Sequence, residues 1–306
     1  KRMTLSAVGL ISLLGLSSSL LGCEKAAEPA ATPAPSSTSA KTGADAGSSA
    51  TPAADAGASK SGADASAKAG GKTITIGVIA KSTENPVFQA ARTGAFDAAA
   101  DLEKKYGRKI SIDWRTPNKE DAQQQAQNIE ILASGGADGI AVSASDANLL
   151  KAAVDAAVAK GVEVVTFDSD VPGSARFAYY GIDDVEAGRE VMRQLAKAMG
   201  DKGGPVAILA GNQNATNLQA RVRGVQEELE KLKDKGFSLK KVVYHREMAA
   251  EAAAKVQEEQ NANPDIAGWA MVGGWPLFTQ NALDGVYTNA KVVSVDHLPE
   301  QLNYVK

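Results

Sequence analysis

Val162-Glu163-Val164-Val165-Thr166-Phe167-Asp168-Ser169-Asp170 carries the clearest signal of this chain's architecture. Mostly β-branched residues run into an aromatic and then into three small polar ones. The stretch follows a helical pattern over 149–160 and a turn at Gly161. A buried parallel strand is apolar along its length, and here it turns polar at its carboxyl end. In open α/β sheets ligands sit outside the carboxyl ends of the strands. Asp168 and Ser169 are therefore the first candidates for ligand contact. Asp and Ser also dominate turns and helix caps, and that plainer role is the alternative.

The same grammar extends in both directions. Strands are expected at 74–80, 109–114 and 139–142, and helices at 86–105, 119–133 and 146–160. The first helix should turn Phe88, Ala91, Ala95, Ala99 and Leu102 inward. Beyond the opening stretch come strands at 177–182, 205–210, 239–244, 266–272 and 291–296. Helices at 184–199, 217–234, 248–262, 276–284 and 299–305 alternate with them. Helix 217–234 carries the clearest apolar stripe, Leu218, Val222, Val225, Leu229 and Leu232. Strands alternating with helices predict βαβ units, parallel sheets and right-handed crossovers. These strands are too many for one sheet in this length. The expectation is an α/β chain with two doubly wound parallel-sheet lobes of about 100 residues each. The lobes are 72–182 and 183–306, with a hinge near 181–183.

The start of the chain reads as an address. Lys1 and Arg2 precede a short apolar run that ends in Leu20-Leu21-Gly22-Cys23. Such a run fits a signal peptide over 1–23 and not a spanning helix. The Leu-x-Gly-Cys pattern resembles the lipobox of bacterial lipoproteins, which implies a lipid on Cys23; an ordinary secretory signal is the alternative. Cys23 is the only cysteine, so internal disulfides and thiolate metal cages are excluded. Residues 24–71 contain no Val, Ile, Leu, Met or aromatic residue. That composition cannot offset its ordering entropy, so the segment reads as a disordered tether.

A set of short motifs follows the strands in order. These are Ser82-Thr83-Glu84-Asn85-Pro86-Val87-Phe88, Ser143-Ala144-Ser145-Asp146, Thr166-Phe167-Asp168-Ser169-Asp170 and Gly181-Ile182-Asp183-Asp184. Then come Asn217 to Gly224, Asn263-Pro264-Asp265-Ile266 and Val293-Ser294-Val295-Asp296. The ordered set, over about 72–306, resembles the ribose/galactose-type periplasmic sugar-binding proteins of ABC importers. The resemblance implies a bilobed fold with a sugar clamped by Asn85, Ser143, Asp168, Arg221 and Asp296. Phe88 would lie on the sugar's apolar face. Those side chains suit the task, because Asp accepts from two hydroxyls, Arg donates a rigid fork, and an aromatic packs on C–H groups. Loss of Asp168 or Arg221 should weaken binding and leave ligand-free stability little changed, since an open cleft hydrates both.

The departures point away from ribose. Ser169 stands where ribose binders carry Arg, Val87 where they have a second aromatic, and Glu247 and Val295 where they have Phe. Gly273 replaces an Asn, and Trp275 either stacks on the ligand in compensation or packs in the lobe core. Arg223 reads as a surface charge.

Other functions find little support. His245 and His297 are the only histidines, and neither has a carboxylate at ligand spacing, so no metal and no cofactor are expected. No nucleotide or nucleophile-elbow motif follows a strand, and Gly211-Asn212-Gln213-Asn214 has the wrong spacing for a phosphate cradle. Asp168, Asp170 and Asp296 could be paired on paper as catalytic carboxylates, as any polar cleft allows. The chain is mildly acidic, with a formal net charge of −3, and has no basic stripe for nucleic acid. The resulting expectation is a monomeric, non-enzymatic lipoprotein of the cell envelope. It would bind a sugar or polyol by lobe closure and deliver it to an ABC transporter permease. A receptor partner in chemotaxis or signalling and a lipid-anchored carbohydrate-active hydrolase are the alternatives. The resemblance also implies further segments after residue 306 that return to the first lobe.

Overall fold

The computed structural model describes residues 71–305. The signal segment, Cys23 and the tether, apart from Gly71, lie outside the described residues. The first lobe runs β1 (Ile74–Ile79), α1 (Pro86–Tyr106), β2 (Ile110–Trp114), α2 (Ala122–Ser134), β3 (Gly139–Val142), α3 (Ala147–Ala159), β4 (Glu163–Phe167) and β5 (Ala178–Tyr180). Its five strands are all parallel, in the order β2-β1-β3-β4-β5. The second lobe runs α4 (Asp184–Met199), β6 (Gly204–Gly211), α5 (Thr216–Lys231), β7 (Phe237–Tyr244), α6 (Ala249–Ala262), β8 (Gly268–Met271), β9 (Lys291–Ser294) and α7 (Pro299–Leu302). Its four strands are also parallel, in the order β7-β6-β8-β9. Each lobe has its own apolar core, one around Ile129, Ile140, Leu150 and Val164, the other around Leu195, Ile208, Val225 and Trp269.

Local chemistry explains the starts of the first four helices. Asn85, Asp121, Asp146 and Asp183 each accept a backbone N–H from the first turn of the helix they precede, the favoured capping arrangement. Two expectations fail locally. The helix expected at 276–284 is a single 3-10 turn over Trp275–Phe278, and Asn281 sits at a left-handed φ of 61° that a continuing helix excludes. In α1, Phe88 and Ala99 are buried but Leu102 is exposed. An apolar groove of about 430 Å³ remains between α1 and Ile76, Val78 and Phe167 of the sheet, so that helix face is only partly covered.

Among the described residues the chain passes between the lobes once, between Tyr180 and Asp184. Helix α4 then packs against α5 at glycine distance. A Cβ on Gly188 would lie 2.0 Å from the Arg221 carbonyl oxygen, and one on Gly224 1.9 Å from the Val185 carbonyl oxygen. This contact places Arg221. Gly224→Ala must separate the helices and should lower the unfolding free energy by about 1–3 kcal/mol. An unchanged urea midpoint would refute that close approach.

Candidate functional site

In a doubly wound sheet the strand order reverses at a switch point, and the carboxyl strand ends there form a crevice. In the first lobe that point lies between β1 and β3, and in the second between β6 and β8. The two face each other across one cleft. From the first lobe, Lys81, Asn85, Val87, Phe88 and Asp168 line it; from the second, Asn217, Leu218, Arg221, Glu247, Gly273, Trp275 and Asp296 do. Asn85 caps α1 through its side chain, which accepts the Val87 N–H at 3.0 Å, and Pro86 opens the helix. Asp168 and Asp296 both hold left-handed backbone, with φ of 57° and 71°. This turns the chain sharply after β4 and β9.

Asp168 accepts the Ser143 hydroxyl at 2.7 Å and the Asn217 side-chain amide at 3.1 Å. Ser143 therefore orients Asp168 from behind and does not line the cleft. Ser169 does not line it either. Its N–H donates to the Phe167 carbonyl, its own carbonyl accepts the Ala144 N–H, and its side chain is buried. The left-handed turn at Asp168 leaves its carboxylate on the cleft, while Ser169 is buried and tied by its backbone to Phe167 and Ala144. Asp170 is engaged by Arg176, and exposed Arg223 approaches Glu227 on its own helix. Trp275 is 3% exposed, lies in the second core, meets His245 edge-on at 4.8 Å and still lines the cleft. The two readings of Trp275 are therefore compatible.

Arg221 donates from Nε to Asp184 Oδ1 at 2.9 Å and from a terminal nitrogen to the Val272 carbonyl at 3.1 Å. The rest of its five-donor fork is left for the cleft. Burial pushes the Asp184 carboxyl up, against the pull of Arg221. The expectation that Arg221 matters little to stability is corrected here, because its loss leaves buried Asp184 without its cation.

Three cleft residues escaped the sequence reading of the clamp. Lys81, at the end of β1, donates to Glu247 Oε1 at 3.0 Å and to Asn217 Oδ1 at 3.5 Å. The pair is 2% and 7% exposed and joins the lobes inside the cleft. Burial opposes the Lys81 ammonium, but Glu247, Asp168 and Glu120 outweigh it and hold its pKa above the usual value. Burial pushes the Glu247 carboxyl up to about 7, despite Lys81. The sequence signals were Glu247, a charged residue where the resemblance implies an aromatic, and Asn217 at the head of the 217–224 motif. A second set of contacts flanks the cleft. Asn212 donates to Glu120 at 2.9 Å, Asn214 to Asp146 at 2.9 Å and Thr216 to the Asp170 carbonyl at 3.0 Å. The loop rejected above as a phosphate cradle thus clasps the two lobes.

With this closure the inner cleft keeps a free volume of only about 40 Å³, while its mouth, around Glu84, Lys119, Met248 and Phe278, holds about 410 Å³. Between the ordinary carboxylate pKa of 4.5 and about 7 the folded protein keeps a proton on Glu247 that the unfolded chain has released. The stability this gives is complete below the lower value and is lost as pH rises through the upper one. Unfolding free energy measured across that window should therefore fall less in Glu247→Gln than in the wild type. Parallel pH profiles would contradict the assignment.

Among the described residues no group of three or more His, Cys, Asp or Glu side chains could hold a metal ion, and no helix is long and apolar enough to cross a membrane. The paired switch points define a two-lobed α/β protein with a polar cleft at the lobe interface. Residues 76–306 match the family model described as periplasmic binding protein domain, and the chain belongs to that family. The ribose import binding protein RbsB of Bacillus subtilis is 29% identical over 153 residues, 50% of this chain and 48% of that protein. The chain thus spans about half the length of that relative. The D-allose-binding periplasmic protein of Escherichia coli is 26% identical over 243 residues, 75% of each. An ABC transporter solute-binding protein of Burkholderia graminis, solved in complex with D-arabinose, superposes with a TM-score of 0.66 at 27% identity, covering 75% of this chain and 78% of that one.

Proposed function

We propose that this protein is an exported substrate-binding protein that captures a sugar or polyol between lobes 72–182 and 183–306. It then delivers the ligand to the permease of an ABC importer. The observation that carries this reading is the opposition of two switch points. Asp168 and Asn85 come from one lobe, and Arg221 and Asp296 from the other. Acceptors and a guanidinium fork suit hydroxyl pairs, and Phe88 and Trp275 supply apolar faces for a sugar ring. The ribose, D-allose and D-arabinose named for the relatives support the same ligand class. The test is calorimetry with D-ribose, D-arabinose and D-allose, together with native mass spectrometry of the protein as purified. Binding of none of these sugars and no co-purifying polyol would count against the reading.

The same proposal includes a lipid anchor. Leu20-Leu21-Gly22-Cys23 would direct acylation of Cys23, and residues 24–71 would let the lobes reach away from the membrane. Stable anchoring needs more than one chain, so multiple acyl groups are expected. Cys23→Ser should move the protein from the membrane to the soluble fraction. A wild type that is already soluble and unlipidated would refute the anchor.

A further inference from the structure

The free space at the lobe interface lies mostly outside the clamp. The inner cleft around Asp168, Arg221 and Asp296 keeps about 40 Å³, room for about three waters. The mouth keeps about 410 Å³, inside the range of about 300–1,000 Å³ usual for small-molecule sites. Asn85 and Glu247 line both spaces, so the two adjoin. A whole sugar ring is larger than the inner space. A ligand that reaches the clamp therefore extends into the mouth.

Both lobes build the mouth. Its apolar wall is Pro86 from the first lobe and Met248, Ala249, Ala250 and Phe278 from the second. Polar groups without protein partners open on the same space. Ser82 lines it and is only 7% exposed, yet among the described residues its hydroxyl has no hydrogen-bond partner. Buried hydroxyls are hydrogen-bonded as a rule. Helix α6 opens at Met248 without a side-chain cap, and the N–H groups of Ala249 and Ala250 have no backbone partner. At the other helix start on the cleft, Asn85 supplies that cap. Free donors and a hydroxyl beside an apolar wall with one aromatic ring suit a sugar unit, which has hydroxyls at its edge and C–H groups on its faces. A purely apolar occupant would leave the Ser82 hydroxyl and the α6 N–H groups unsatisfied.

We propose that the mouth is a second sugar subsite and that the ligand is a disaccharide or a glycosylated polyol. One unit reaches Asp168, Arg221 and Asp296. The other lies against Phe278 and Ala250 and bonds to Ser82 and the start of α6. This rests on reading the inner cleft as a sugar site. Because the walls of the mouth come from different lobes, closure covers the second unit as well as the first.

Calorimetry with matched probes tests the subsite. The probes are maltose and cellobiose against D-glucose, melibiose and lactose against D-galactose, xylobiose against D-xylose, and maltitol against D-sorbitol. In at least one set the larger probe should bind roughly tenfold or more tightly than the smaller one. Ala250→Trp fills the mouth from an exposed position in the first turn of α6. It should remove that advantage and leave the affinity for the smaller probe unchanged, and a melting curve checks that it folds. Ser82→Ala is the second variant. It should narrow the advantage without lowering the melting temperature, because the hydroxyl supports nothing else in the protein. Smaller probes that bind as tightly as the larger ones would overturn the subsite and leave the sugar reading standing. An advantage that survives both variants would overturn its placement at the mouth. Binding by none of these probes would overturn the proposal, and failure of D-ribose, D-arabinose and D-allose as well would remove the sugar reading with it.

Discussion

Lys81→Met will loosen the two lobes from each other. Methionine nearly keeps the length of the stem and removes the ammonium, which leaves Glu247, 7% exposed, without its cation. Removing one partner of a buried ion pair costs about 3–5 kcal/mol, mostly for the charge left behind. Lys81 comes from one lobe and Glu247 from the other, so the closed arrangement takes the loss. Small-angle scattering should give a larger radius of gyration than the wild type, and thermal unfolding should begin earlier. Replacing both residues, Lys81→Met with Glu247→Leu, removes both charges and should restore most of what the single change loses. Because burial already holds the Glu247 carboxyl at about 7, acid will supply the proton that the lost cation no longer offsets. The defect should therefore be greatest in mild alkali. A single variant that scatters and melts like the wild type there would show that the pair does not hold the lobes.

Asp168→Ala will weaken sugar binding by about 2–4 kcal/mol, roughly 30- to 1,000-fold. The carboxylate sits at the first lobe's strand ends, with Ser143 donating from behind and Asn217 from across the cleft. A ligand hydroxyl that donates to it gains a charge-assisted bond away from bulk water. Alanine removes that acceptor, strands the Ser143 and Asn217 donors, and places a residue with no side-chain support at a φ of 57°. The structure thus adds a stability effect that the hydrated-cleft picture omitted. Asp168→Asn separates the two. It keeps the side-chain size, and Asn tolerates the backbone, so its melting temperature should stay close to the wild type while its affinity falls. Calorimetry showing wild-type affinity in Asp168→Ala would remove Asp168 from the site.

The order of elements was legible in the sequence because it rests on local signals. Apolar strand segments, capping residues such as Asn85, Asp146 and Asp183, and the alternation of strand and helix each act over a few neighbours. The polar residue after β4 could be placed at a ligand cleft for the same reason, since the end of a parallel strand is a fixed place in the fold. The separate fates of Asp168 and Ser169 were not legible. They depend on a left-handed turn at Asp168, after which Asp168 lines the cleft and Ser169 is buried. The service of Arg221 to Asp184 required helices α4 and α5 to meet at Gly188 and Gly224. Lys81 and Glu247 lie 166 positions apart, and neither carries a pattern that points to the other. Burial and an opposite charge at 3.0 Å make them a pair, and both arise only when two separately wound sheets turn their switch points toward each other. Sequence alone therefore determined the lobes and their candidate cleft, while the tertiary structure decided the charge balance inside it, because electrostatics depends on distance in space and not along the chain.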